Sequence, residues 1–186
     1  MDVFVIRYGS WEHVLSKLGI KILRLKRFPP LAFIWQKPIE GVLKLNVDGS
    51  YVHQGQDGEG GIFRDHRSKV LKAFTHQFHA VSAFHLELLV VYDGLQICSD
   101  LGWMKVIIKT DSMQVIDNVI KRRGAWHLNH LVDKITNLLT RNEHTIQHVM
   151  REVNSVADQL AKKPIEGKGM QVLEFGQIPS DIRTNI

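Results

Sequence analysis

A single cysteine, Cys98, occurs in 186 residues, so the chain has no internal disulfide framework. Its setting in the apolar run GLQICSDLGW reads as core rather than as a nucleophile, and points to a reducing, intracellular home without resolving nucleus, cytoplasm or organelle. Long apolar runs are missing too. None approaches the roughly 20 residues that cross a bilayer, so no membrane partner is expected. The opening MDVFVIRYGSWEHV starts with an acid and has no small-residue cleavage site, unlike a secretory signal. A strong excess of charge is also lacking over most of the chain. The formal net charge is +5, but residues 41–163 hold 15 basic and 13 acidic side chains, so charge alone does not mark a polyanion-binding body.

What is present is the balance of a soluble globular domain, 44% hydrophobic and 23% charged. The length suits one domain with flanking segments. Residues 1–37 are a basic arm, helical or disordered, with seven basic side chains up to position 40. SWEHVLSKLGIKILRLKRF has apolar residues at near-helical spacing before FPP ends any helix. The domain is assigned to 38–163, and 164–186 read as a loosely structured tail.

VLKLNVDGSY reads as a strand, and GQDGEGG, residues 55–61, as a Gly-rich connector. GIFRDH and KVLKAFTHQFHA follow as two further strands around the turn HRSK, making an antiparallel meander. From Ser82 to Leu101 the period changes: Phe84, Leu88, Val91, Leu95 and Cys98 fall at three- and four-residue steps, with Ser82 as N-cap and Gly102 as stop. WMKVIIKTDS is a buried parallel strand, SMQVIDNVIKR and AWHLNHLVDKITNLLTR are helices, HTIQHVMRE is a fifth strand, and NSVADQLAKK a last helix. The order predicts an α/β fold: a mixed five-stranded sheet, strands 1–3 antiparallel and 4–5 parallel, with helices on both faces.

Acids stand at the ends of these elements. Asp48 leaves the first strand and Asp111 the fourth; Glu87 is one turn into the first helix and Asp158 in the first turns of the last. Each has an ordinary structural account: Asp48-Gly49 as a turn, Asp111 as a helix cap, Asp158 against a helix dipole, Glu87 on the flank of an apolar stripe. If strands one and four are neighbours, all four meet at one crevice. Four converging carboxylates repel unless cations sit among them. Hard oxygen donors suit Mg²⁺ or Mn²⁺, two of which about 4 Å apart assist phosphodiester hydrolysis.

LKLNVDGSY, GEGGIFRD, HLELLVVYDGLQ, VIIKTDS and HVMREVNSVADQLAKK, spread over 41–163, together resemble type 1 ribonuclease H in its divergent plant, retroelement-derived (reverse transcriptase-like) form. The resemblance implies a ribonuclease H-like fold and two-metal cleavage of the RNA strand of RNA–DNA hybrids, with no obligate protein partner. It assigns Asp48, Glu87, Asp111 and Asp158 as metal ligands and catalytic acids. His148, ten positions before Asp158, becomes an aid to turnover. Gly49, Ser50, Ser112, Asn154, Arg122 and Arg123 become nucleic-acid contacts. Three departures stand out: Leu86 replaces a small residue before Glu87, VVYDGLQ is bulkier than the family's usual alanine-rich helix, and KRRGAWH is too short for a basic protruding helix. Grip would then come from Lys121, Arg122, Arg123 and the arm, with Trp103 and Trp126 as core or stacking residues. A module that binds nucleic acid without cutting it is the alternative, and an integrase- or transposase-like reaction a third reading.

Overall fold

In the computed structural model, which describes residues 3–5, 32–52, 57–163 and 169–186, β1 (Leu43–Ser50) alternates as the sequence does. Leu45 and Val47 are fully buried on one face, and Lys44, Asn46 and Asp48 point to the other, because successive side chains of a strand oppose each other. The chain continues through β2 (Asp57–Arg64), β3 (Val70–Phe78), α1 (Ala83–Asp100), β4 (Val106–Thr110), α2 (Met113–Lys121), α3 (Asn129–Arg141), β5 (Thr145–His148), α4 (Ser155–Lys162), β6 (Gln171–Leu173) and α5 (Ser180–Arg183). The sheet order is β5-β4-β1-β2-β3-β6. β1–β2, β2–β3 and β3–β6 are antiparallel; β1–β4 and β4–β5 are parallel. The mixed α/β architecture is the expected one, with six strands in place of five.

Helices α1, α2 and α3 cover one face over a core that includes Leu45, Val47, Phe63, Phe74, Leu95, Ile108 and Ile135. Ser82 caps α1, its side chain accepting from His85 N, and Gly102 follows at φ +65°. Cys98 is buried in this core, and burial pushes its thiol up to about 12. α4 covers the other face over a smaller core of Ile62, Ala73, Leu160, Ile178 and Ile182. Among the described residues no helix is long and apolar enough to cross a membrane.

Three expectations need correction. From Asp57 on, the segment read as a connector is strand: β2 starts there, and its residues are buried throughout. Gly58 and Gly60 lack side chains where α4 lies against them. A Cβ on Gly58 would stand 2.1 Å from the Ala161 carbonyl oxygen, and one on Gly60 2.5 Å from the Ala161 nitrogen. The chain after Pro164 is also not loose where it is described. β6 pairs with β3, and Ile178 and Ile182 are at most 1% exposed under the sheet. An ion pair, Lys163 with Asp181, joins the end of α4 to α5. In addition, the strand read as HTIQHVMRE ends at His148, followed by a 3₁₀ turn at Arg151–Val153.

A separate unit, Met1–Trp35, contains a two-stranded antiparallel ribbon of Val3–Val5 with Ala32–Ile34. The amphipathic stretch predicted between those strands lies outside the described residues.

If the C-terminal segment belongs to the core, Ile182→Ala should destabilise the protein by about 2–5 kcal/mol. Urea denaturation measures this; a loss below about 0.5 kcal/mol would return 169–186 to a loose tail.

Candidate active site

β1 and β4 are parallel neighbours, in register from Leu43–Val106 to Asn46–Lys109. Their C-terminal ends therefore open at the same edge and deliver Asp48 and Asp111 side by side. α1 crosses the same mouth because its first turns pack on Gly49. The Leu86 Cγ lies only 2.9 Å from where a Cβ of residue 49 would stand, and the Glu87 carboxyl carbon 3.5 Å. Bulky Leu86 is thus accommodated by the bare glycine, so it does not displace Glu87 from the site. Carboxylate oxygens of Asp48, Glu87 and Asp111 all lie within 4.8 Å of one another.

Asp48 is 5% exposed, and its carboxyl is pushed up to about 7, mainly by burial and then by the charges of Asp111 and Asp158. Arg151 and Lys162 oppose that rise. Glu87 is pushed up to about 8, again by burial first and then by Asp48 and Asp111. One of its oxygens, Oε2, is buried without a hydrogen-bond partner among the described residues. Crowded anions and an unpartnered oxygen are what a divalent cation would relieve, and an all-carboxylate donor set fits a hard one.

Asp158 reaches the site from the opposite face but stands outside the three-acid cluster. α4 brings it there by lying on the glycines of β2, where Gly60 is the cross-strand partner of Asp48. Its carboxylate is held by Lys162, 2.7 Å away and one turn on, and by Arg151 at 3.6 Å. Arg151 and Lys162, whose charges act on Asp158 and Asp48, were not singled out by the sequence reading. Both stand in the HVMREVNSVADQLAKK motif, and the one-turn spacing of Asp158 and Lys162 was the available signal.

Asn154 requires a correction. Only 1% of it is exposed, which leaves nothing for a nucleic acid to touch. Its Nδ2 donates to the Val47 carbonyl at 2.8 Å and lies 3.5 Å from Asp48 Oδ1, while its Oδ1 accepts from Asn46 Nδ2 at 3.0 Å. It is a positioning residue that clamps α4 to β1 beside Asp48. Ser112 caps α2, its hydroxyl accepting from Val115 N. Gly49 and Ser50, half-buried, end β1 at the mouth. His148 is exposed at the end of β5 as the register partner of Thr110, the residue before Asp111.

Arg122 and Arg123 are exposed but follow the nine residues of α2, so about 14 Å of helix separates them from Asp111. The structure does not bring them to the acids, and Lys121 is paired with Asp117 at 3.0 Å. Trp103 packs edge-on against Phe63, centroids 5.0 Å apart, as a core residue; Trp126 is 87% exposed.

The sheet order and the acid cluster at its mouth define the ribonuclease H-like class of α/β domains. Residues 46–164 match the Reverse transcriptase-like family, and the chain belongs to that family as a ribonuclease H family domain. Among solved structures it is similar to RNase H1 of the archaeon Halobacterium salinarum NRC-1, with a TM-score of 0.60 and 19% identity over 66% of this chain and 96% of that one. It is likewise similar to the N-terminal RNase H domain of a Mycobacterium tuberculosis protein (0.58, 21%, covering 65% and 91%). A third match is LC11-RNase H1 in complex with an RNA/DNA hybrid (0.56, 17%, covering 65% and 93%). No curated protein matches the chain at a significant level.

The raised carboxyls have a sign that can be measured. Without divalent cation, the folded protein holds protons on Asp48 and Glu87 that the unfolded chain releases near pH 4. Stability contributed by these groups is therefore present at low pH and is lost as pH rises towards about 7 to 8. In Asp48→Asn the Tm should exceed that of the parent by several degrees at pH 8.5 and by much less at pH 5. A Tm difference that does not grow with pH would contradict the assigned burial and crowding.

Proposed function

We propose that the protein is a metal-dependent endonuclease that hydrolyses the RNA strand of RNA–DNA hybrids. The observation that carries this reading is the meeting of Asp48, Glu87 and Asp111 within 4.8 Å at one mouth of the sheet. Membership in the family and a fold shared with a hybrid-bound RNase H1 support it.

Asp48, Glu87 and Asp111 would hold the cations, Mg²⁺ or Mn²⁺ and two by preference, with Asp158 completing the set. Such ions, when bound, offset phosphate charge and make a hydroxide available at neutral pH. The chain's own groups do the rest. Asn154 fixes the backbone beside Asp48, so the carboxylate is oriented before substrate arrives. Arg151, an exposed guanidinium 3.6 Å from Asp158, would supply a cation for the phosphate backbone. His148, on the β5 flank, is the group we assign to proton transfer during turnover. The 2′-hydroxyl would identify the strand to be cut. With residues 41–163 nearly neutral, hybrid binding should be weak and sensitive to salt.

A non-cutting nucleic-acid-binding module is the second reading. One observation favours it: Asp158 is engaged by Lys162 and Arg151 rather than standing with the other three acids.

A labelled hybrid incubated with the protein should yield RNA fragments in Mg²⁺ and none in EDTA. Asp48→Asn and Asp111→Asn should each lower the rate by at least about 10³-fold. Residual cleavage equal to the parent's would remove the assigned chemistry. Binding at low salt with no cleavage in Mg²⁺ or Mn²⁺ would establish the second reading instead.

A further inference from the structure

One strand over from the acid cluster, a second set of side chains converges that the proposed reaction does not use. Glu59 of β2 and His76 of β3 are cross-strand partners and so project to the same face of the sheet. α1 packs over that face and adds Asp93. One donor atom from each of the three lies within 4.8 Å of the others. His76 Nδ1 is 3.3 Å from Glu59 Oε1 and 4.0 Å from Asp93 Oδ2.

Glu59 is the unusual member. It is fully buried; Oε2 accepts from no N–H or O–H donor among the described residues, and the carboxyl's neighbour is that of Asp93, with which a hydrogen bond requires a shared proton. Buried carboxyl oxygens are ordinarily satisfied, so this one calls for a ligand or a proton. Burial, and then the hydrogen bond and charge of Asp93, hold the Glu59 carboxyl far above the usual carboxylate range. In the metal-free protein it therefore keeps a proton at neutral pH. The His76 and Asp93 side chains are 25% and 18% exposed, which leaves the set reachable from solvent.

We propose that Glu59, His76 and Asp93 form a binding site for a divalent first-row transition ion of the Zn²⁺ type, with no ligand in common with the Asp48–Glu87–Asp111 cluster. The donor set decides the class of ion. One imidazole nitrogen with two carboxylates suits Zn²⁺ and its neighbours, whereas Mg²⁺ prefers oxygen donors and retains its waters. Three protein ligands leave a position open to water on the solvent side. The ion would join β2, β3 and α1, and α1 carries Glu87 six residues before Asp93. Glu59 is also the cross-strand partner of Gly49, on which Glu87's helix rests. Zn²⁺ would thereby brace the helix that delivers a candidate catalytic acid, and its binding would displace the Glu59 proton.

The test uses the full chain carrying Asp48→Asn and Asp111→Asn, so that the catalytic cluster does not take the added metal. Calorimetric titration with ZnCl2 should show one equivalent bound with proton release and a raised Tm, and MgCl2 at millimolar concentration should show neither. Adding His76→Ala should weaken Zn²⁺ binding at least tenfold and abolish the Tm rise. Asp93→Asn, on the flank of α1, serves as a second variant, with far-UV circular dichroism reporting the metal-free fold of each. No Zn²⁺ binding to the parent, or unchanged affinity and Tm rise in the folded variants, overturns the site.

Discussion

Three carboxylates held close together in a largely buried place repel one another, and the fold holds them there all the same. Asp48 and Glu87 carry the cost as carboxyls raised to about 7 and about 8, by burial first and by the neighbouring acids second. Each unit of such a shift corresponds to about 1.4 kcal/mol, so the arrangement costs stability on the order of several kcal/mol before any cation is bound. Packing away from the site has to offset it. Two contacts do so most directly. α1 rests on Gly49, and α4 lies on Gly58 and Gly60, each approach being closer than any side chain would allow. Without those bare positions neither helix could bring its acid over the end of β1.

The polar partners around the acids divide into two roles. Asn154 is buried and neutral, and it ties α4 to the Val47 carbonyl, so it fixes position without changing charge. Arg151 and Lys162 are exposed cations whose charge reaches Asp48, moderating the repulsion from the solvent side. The 3₁₀ turn at Arg151–Val153 makes both roles possible, because it places Arg151 outside and Asn154 inside within three residues.

Much of this was legible in the sequence, and what was not has physical reasons. The alternation of Leu45 and Val47 with polar neighbours fixes β1, and the apolar steps from Phe84 to Cys98 fix α1. β2 was misread because glycine has no hydropathy signal: Gly58 and Gly60 look like a loop until a helix is seen lying on them. The C-terminal segment escaped because a three-residue strand and a four-residue helix have no period to detect, and their order comes from tertiary burial of Ile178 and Ile182. The positions of Asp48, Glu87 and Asp111 at element ends were readable, and their convergence followed from strand order. Asn154 was placed on the wrong side of the surface, since its direction depends on the 3₁₀ turn rather than on its neighbours in sequence. Arg122 and Arg123, read as substrate grip in the short KRRGAWH connection, stand the length of α2 away from Asp111.

The central claim is that the mouth of β1 is built to hold divalent cations. Crystals grown in Mn²⁺ and measured for anomalous scattering test it most directly. The account predicts anomalous peaks at coordinating distance from carboxylate oxygens of Asp48, Glu87 and Asp111. A map with no peak there, or with the three carboxylates turned apart, would contradict it.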